Sequence, residues 1–163
     1  MRYVGLDPST KTGIVILDKD GNVILEKEIT TNVKEDPHRF VDITDKVLKH
    51  VKSSDKVMIE GFSYGSRGRG VSTQYGIGWI IRTALLFTKK IEYTEVTPGQ
   101  LKKFATGKGN TSKDNMILPI YKRWEFEHDS DNVRDAYVLA QIGRALDNKY
   151  DLTKFQKEVL NAL

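Results

Sequence analysis

The sequence predicts an α/β fold: a mixed five-stranded sheet with helices on both faces. The first observation is the order of its segments, because three β-prone segments come first and helical and β-prone segments alternate after them. The second is size, since 163 residues with 39% hydrophobic content suffice for one full core and are few for two. We therefore expect residues 1–163 to form a single domain.

The first three segments predict an antiparallel meander. Residues 3–6 are β-prone, residues 13–17 form a second apolar run, and the turn at 18–21 leads to a third run over 22–29. Asp7 ends the first strand because the proline after it cannot donate to the ladder. Asp7 either caps this turn, as Asp often does, or carries chemistry.

The remaining segments predict helices that alternate with two further strands. The predicted helices cover 37–51, 72–87, 98–105, 112–124 and 132–147, the predicted strands cover 55–61 and 91–96, and a short helix follows Asp151. The expected apolar face of the second helix consists of Tyr75, Trp79, Ile80 and Phe87. Thr97 is the expected N-cap of the third helix, and Pro98 its first residue.

Charge is distributed unevenly along the chain. Residues 62–123 contain eleven Lys and Arg against three acids, and the remainder contains fifteen against nineteen, within a net charge of +4. A basic middle on an otherwise acidic chain indicates a polyanionic partner, because neutralised phosphates release counterions. A solvated lysine-rich surface is the alternative.

Composition also excludes some classes of site. The chain has no cysteine, which rules out disulfides and thiolate metal ligands. No apolar run approaches the roughly 20 residues that span a bilayer, and the N-terminus lacks the pattern of a signal peptide. We expect a soluble protein of the bacterial cytoplasm, or of a phage-infected host's cytoplasm, without membrane contact.

Acidic residues stand where two predicted strands end. Asp7 ends the first strand and Glu60 the fourth, and open α/β sheets place their chemistry beyond the carboxyl ends of strands. If these strands are parallel neighbours, the two carboxylates repel each other unless a cation lies between them or one is protonated. Carboxylate oxygens favour Mg²⁺ or Mn²⁺.

The last long helix begins with further acids. Asp131 or Ser130 is its expected N-cap, while Asn132 and Asp135 lie three residues apart and project from one face. Acids in a first helical turn also complement the helix dipole, which is a structural explanation for them. The dipole explains neither of the strand-end carboxylates.

Four segments together resemble the RuvC family of Holliday junction resolvases, within the ribonuclease H-like superfamily, and especially its shorter phage-type members. They are GLDPSTKTGIVI, MIEGF, TPGQLKKFATGKGNTSKDNM and DNVRDAYVLA. Their order is that of the family's two catalytic strands, basic connector and closing helix. The resemblance covers nearly the whole chain and implies a ribonuclease H-like fold and a structure-selective endodeoxyribonuclease that resolves four-way DNA junctions.

The resemblance also implies a metal site. Asp7, Glu60 and Asp135 would be catalytic metal-binding carboxylates, and Asn132 stands where many members have Asp. Asn132 could coordinate through its amide oxygen, or the adjacent Asp131 could replace it, although one residue turns a helical side chain by about 100°. Two Mg²⁺ or Mn²⁺ ions per active site would support two-metal hydrolysis.

DNA contacts follow from the same resemblance. Lys113 corresponds to a basic residue near the scissile phosphate, and either Lys102 or Lys103 to another basic contact. The aromatic wedge that opens base pairs at the junction centre falls on Phe62 or Tyr64.

Two Gly-rich loops add basic residues. GSRGRG contains Arg67 and Arg69, and GKGN contains Lys108. Glycine permits close backbone approach to phosphates, and each Arg can donate two hydrogen bonds to one. Neither loop has a Walker A pattern, so both are interpreted as DNA-contacting elements, with ordinary mobile loops as the alternative.

A four-way junction has two-fold symmetry, so two symmetric cuts require two active sites, and we expect a homodimer. Gly76 and Gly78 beside Trp79 and Ile80 suit either a helix–helix seam between copies or internal packing.

Three other functions are compatible with parts of the sequence. A related nuclease acting on other branched DNA or structured RNA, and a catalytically inactive nucleic-acid-binding module, both remain alternatives. An actin-like ATPase is disfavoured because those proteins need two such domains.

Overall fold

The computed structural model contains the predicted mixed sheet of five strands with helices on both faces, and it describes residues 1–64, 68, 70–148 and 150–163. The strands are β1 (Tyr3–Asp7), β2 (Thr12–Leu17), β3 (Val23–Ile29), β4 (Lys56–Glu60) and β5 (Tyr93–Val96). The helices are α1 (His38–Leu48), α2 (Val71–Thr83), α3 (Pro98–Thr106), α4 (Asp114–Trp124), α5 (Asp131–Asp147) and α6 (Lys154–Leu160). A π-helical turn, Ala84–Lys89, follows α2 directly.

The strand order β3-β2-β1-β4-β5 places the antiparallel meander on one side of β1 and the parallel strands on the other. β4 pairs parallel with β1, and β5 parallel with β4. The register pairs Leu6 with Ile59, so Asp7 and Glu60 are the next residues at the same edge of the sheet. The two strand-end carboxylates therefore become neighbours, as predicted.

Two hydrophobic cores lie on opposite faces of this sheet. One packs β-strand side chains such as Tyr3 and Met58 against α3, α4, α5 and α6, and the other packs Val4 and Leu6 against α1 and α2. Every residue of β1 and β2 is buried. Burial on both faces explains why these strands read as nearly continuous apolar runs.

Helix boundaries follow local chemistry. Thr97 caps α3 through a capping box with Gln100, and α3 ends where Gly107 takes a φ of 86°. Ser130, rather than Asp131, is the N-cap of α5, and its side chain accepts a hydrogen bond from the Val133 amide. No helix in the described ranges has the length and apolarity to cross a bilayer.

The predicted apolar face of the second helix is wrong at two positions. Trp79 is 55% exposed and Phe87 69% exposed, whereas Ile77 and Ile81 are fully buried. The reason is that the α-helix ends at Thr83 and a π-helical turn continues it, while α2 turns Ile77 and Ile81 toward the sheet.

Gly76 and Gly78 serve internal packing. A β-carbon on Gly76 would lie 2.5 Å from the ring of Phe40 in α1, and one on Gly78 would lie 2.5 Å from the ring of Phe62. Of the two explanations offered by the sequence, the structure therefore shows internal packing.

Helix α5 lies against the sheet without intervening side chains at two points. A β-carbon on Gly5 would lie 1.9 Å from the carbonyl oxygen of Ala136, and one on Gly13 would lie 2.0 Å from that of Asn132. Backbone atoms cannot move aside as a flexible side chain can. These glycines of β1 and β2 therefore fix the depth at which the first turns of α5 approach the edge that carries Asp7.

We predict that Gly5→Ala lowers the free energy of unfolding by at least about 2 kcal/mol, because its methyl group must displace the α5 backbone. Gly143→Ala is the matched control on the helix side of the same interface, since its β-carbon would meet the flexible Met58 side chain at 3.0 Å. Gly143→Ala should lower the free energy of unfolding by no more than about 1 kcal/mol, because alanine has a higher helix propensity than glycine. Urea denaturation measures both values, and equal losses of unfolding free energy in the two variants would contradict this explanation of the interface.

Candidate metal and nucleic-acid site

Asp7 and Glu60 meet at the carboxyl ends of β1 and β4. Asp7 is only 4% exposed, and the two carboxyl groups lie close enough to share a hydrogen bond. Burial, the charge of Glu60 and this hydrogen bond raise the pKa of Asp7 well above its ordinary value. Burial raises the pKa of Glu60 as well. Without a cation, the pair therefore holds a proton more tightly than free carboxylates would.

Helix α5 adds Asp135 to this pair. Asp135 is 5% exposed, and burial followed by the charge of Asp7 raises its pKa to about 6, against the opposing effect of Lys113. The charge of Asp135 in turn raises the pKa of Glu60. Three acids from widely separated parts of the chain thus form one electrostatic cluster.

Lys113, just before α4, supplies a positive charge to the cluster. Its ammonium donates a hydrogen bond to Asp131 and lies 3.4 Å from Oδ2 of Asp135. Burial opposes the charged form of Lys113, but the hydrogen bond to Asp131 and the charges of Asp135 and Asp7 raise its pKa. The hydrogen bond from Lys113 lowers the pKa of Asp131.

Asn132 faces the loop between β1 and β2. Its amide nitrogen donates to the carbonyl oxygen of Lys11 at 2.8 Å. This bond and the close contact above Gly13 hold the start of α5 beside the strand edge. Asn132 therefore joins the loop to the helix, while Asp131 faces Lys113.

The donor set suits a hard divalent cation. Among the residues that the structure describes, no three acidic, histidine or cysteine side chains already surround one point as ligands. Asp7 and Glu60 instead lie next to each other, and Asp135 is paired with Lys113. Mg²⁺ or Mn²⁺ would complement buried carboxylates whose pKa values stay raised in spite of Lys113.

The predicted basic contacts separate into different locations. Lys102 is near the cluster, since its positive charge lowers the pKa of Glu60. Lys103 instead pairs with Glu158 of α6 at 2.8 Å. Lys108 is exposed in the turn after α3. Of the two adjacent lysines that the sequence left open, only Lys103 is paired with an acid of another helix within the described part of the chain.

The two aromatic candidates differ in exposure. Phe62 is 8% exposed and stacks on Tyr75 at 4.7 Å between ring centroids, whereas Tyr64 is 79% exposed. Arg67 and Arg69, predicted to contact DNA, lie outside the described residues.

Sequence reasoning missed the role of Arg82. It was counted with the basic residues of the middle segment, but it is 1% exposed and pairs with Glu95 at 2.9 Å. The available signal was a single charged residue at the end of the apolar stretch GIGWIIR.

Two comparisons with known proteins agree with the predicted resemblance, although no family model matches the chain. The crossover junction endodeoxyribonuclease RuvC of Ehrlichia canis is 29% identical over 149 residues, which are 86% of this chain and 94% of the relative. The RuvC endodeoxyribonuclease of Ehrlichia chaffeensis is 29% identical over 130 residues, which are 75% of this chain and 81% of the relative.

Solved structures show the same fold. Thermus thermophilus RuvC superposes with a TM-score of 0.70 at 16% identity, covering 86% of this chain and 91% of that one. T. thermophilus RuvC in complex with Holliday junction substrate gives a TM-score of 0.70 at 17% identity, covering 86% and 90%. The fold shared with these structures is the mixed five-stranded sheet with helices on both faces, and over most of its length the chain is similar to curated RuvC endodeoxyribonucleases.

Proposed function

We propose that this protein is a metal-dependent endodeoxyribonuclease that resolves four-way DNA junctions by hydrolysing two opposed phosphodiester bonds. The observation that carries the proposal is the cluster of Asp7, Glu60 and Asp135 at the carboxyl edge of the sheet. The relatives named crossover junction endodeoxyribonuclease, and the solved RuvC complex with Holliday junction substrate, support the choice of substrate.

The carboxylates would hold the metal ions on which RuvC-type nucleases in general depend. Asp7, Glu60 and Asp135 are the proposed ligands, and Asp131 or Asn132 the fourth. Coordination by Asn132 would use its amide oxygen, since its amide nitrogen donates to Lys11. Two Mg²⁺ or Mn²⁺ ions, when bound, supply an activated water and stabilise the departing 3′ oxygen.

Lys113 would act on the phosphate itself. Its raised pKa keeps the ammonium protonated, and its contacts with Asp131 and Asp135 hold it at the edge of the cluster. A fixed cation beside the scissile phosphate stabilises the charge that develops in the transition state, an effect worth about 3 kcal/mol when well placed.

DNA would approach along the same edge of the sheet. Lys102 and Lys108 are the proposed phosphate contacts among the described basic residues. Exposure favours Tyr64 over Phe62 as the aromatic side chain that enters the junction, because a wedge must reach beyond the protein surface. Exposed Trp79 and Phe87 offer an apolar surface for the second copy of a homodimer.

We predict that the chain cuts a synthetic four-way junction symmetrically in Mg²⁺ or Mn²⁺ and leaves a matched linear duplex and an RNA hairpin intact. Asp7→Asn should reduce the cleavage rate by at least about 10³-fold, since it removes the charge of one of the three proposed ligand carboxylates. Asp20→Asn, in the exposed turn between β2 and β3, is the matched control and should cut like the original chain. Gel analysis of both strand pairs measures the rate and the symmetry.

Three outcomes of that assay would contradict the proposal. Equal cutting of the linear duplex would indicate a general nuclease, and preferential cutting of the hairpin would indicate a ribonuclease. Binding of the junction without cleavage in any divalent metal would indicate an inactive binding module.

We expect the acid cluster to lower the free energy of unfolding when no metal is bound. The pKa of Asp135 is about 6 in the folded protein against an ordinary value of 3.8. Because the folded state holds this proton more tightly than the unfolded state, the free energy of unfolding falls as the pH rises from about 4 to above about 6.

We therefore predict that Asp135→Asn, in the presence of chelator, raises the free energy of unfolding by about 1–3 kcal/mol at a pH of about 8. The gain should shrink as the pH falls toward about 4, where the original carboxyl group is also neutral. Urea denaturation at several pH values measures both effects. A gain that does not change with pH, or a loss at the higher pH, would show that the Asp135 carboxylate is not under this electrostatic strain.

A further inference from the structure

Arg82 is a buried cation whose guanidinium makes four hydrogen bonds. Nη2 donates to the backbone carbonyl oxygen of Glu60 at 2.7 Å, and Nη1 donates to that of Gly78 at 3.1 Å. Nε and Nη2 both donate to Oε2 of Glu95, at 3.0 and 2.9 Å. The guanidinium also lies over the ring of Phe62, 4.2 Å from its centroid. Pairing of this kind is what offsets the cost of burying a charge.

These partners converge on the end of β4. Glu60 is the last residue of β4, Phe62 follows it by two residues, and Glu95 lies on the adjacent strand β5. The guanidinium therefore fastens the Glu60 peptide to β5 and to α2 at once. A hydrogen bond at its carbonyl group restrains the backbone of the strand end, and with it the direction in which the Glu60 side chain leaves the backbone.

Two glycines, Gly61 and Gly78, leave room for the guanidinium and its partners. A β-carbon on Gly78 would lie 2.5 Å from the Phe62 ring and 3.1 Å from Nη1 of Arg82. One on Gly61 would lie 3.1 Å from Oε1 of Glu95. The guanidinium is thus enclosed by packing as well as held by hydrogen bonds.

Phe62 connects this anchor to a group of aromatic side chains. Its ring lies 4.7 Å from that of Tyr75, 5.1 Å from that of Trp79 and 6.4 Å from that of the exposed Tyr64. A displacement of these aromatic side chains would therefore be transmitted to the Arg82 guanidinium through direct contacts.

We propose that Arg82 is a positioning residue for the metal site: it fixes the Glu60 peptide so that the carboxylate faces Asp7, and it couples that carboxylate to the aromatic group Phe62, Tyr64, Tyr75 and Trp79. The inference rests on the proposed function for the role of Glu60. Partners that orient metal ligands typically contribute 10- to 100-fold to metal affinity, which sets the scale of the expected effect.

The chain offers a matched control at the opposite edge of the sheet. Arg2, just before β1, donates to the carbonyl oxygen of His50 at 2.8 Å and to Oδ2 of the buried Asp55 at 3.1 Å. Arg2 thus has the same kinds of partner as Arg82 and none of the site's carboxylates.

The experiment compares Arg82→Lys with Arg2→Lys in the full chain. Lysine keeps the charge but loses the planar fork that joins several acceptors. We expect Arg82→Lys to weaken Mn²⁺ binding, measured by calorimetry, by about 10-fold and to lower the kcat of junction cleavage. Junction affinity measured without divalent ions should change by less than about 2-fold, because that binding depends on phosphate contacts. Arg2→Lys should lower the Tm and leave Mn²⁺ affinity unchanged.

Unchanged Mn²⁺ affinity in Arg82→Lys, or an equal loss in both lysine variants, would overturn the inference. If Arg82→Lys does not fold, Glu95→Gln decides, because it retains Arg82 and weakens only one anchor. It should lower Mn²⁺ affinity by about 3-fold or more, and unchanged affinity would overturn the inference. If the original chain binds Mn²⁺ without cutting junctions, the proposed function fails, while the Mn²⁺ affinities still decide the role of Arg82.

Discussion

The candidate site depends on the direct contact between the α5 backbone and the sheet. Gly5 and Gly13 have no β-carbon, and the carbonyl groups of Ala136 and Asn132 occupy the space that one would fill. Any larger residue there would lift the helix, and with it Asp135, which lies near the strand-end carboxylates. The geometry of the site therefore depends on the absence of side chains at Gly5 and Gly13 as much as on the acidic residues.

That contact brings together charges that the folded chain can only partly neutralise. Asp7 and Asp135 are buried with raised pKa values, and Lys113 compensates them incompletely. A chain selected for stability alone would replace such acids, because buried unpaired charge is costly. Their presence at a sheet edge, beside Lys102 and the exposed Tyr64, is understandable if divalent cations and a phosphate backbone complete the site.

Sequence reasoning located the strands, the helix caps and the strand-end acids because these depend on periodicity, turn chemistry and segment order. The parallel pairing of β1 with β4 was only a condition of the prediction, and Asp135 joined the candidate site through the resemblance to the RuvC family. The exposure of Trp79 and the burial of Arg82 did not follow, since they depend on the rotation of α2 and on partners in β4 and β5. Likewise, only tertiary structure shows that Asn132 holds the β1–β2 loop.

The most direct test of the central claim is a crystal structure of this chain grown with Mn²⁺ and measured for anomalous scattering. We expect anomalous density bonded to the carboxylate oxygens of Asp7, Glu60 and Asp135. Those three side chains standing apart, with no anomalous density among them, would contradict it.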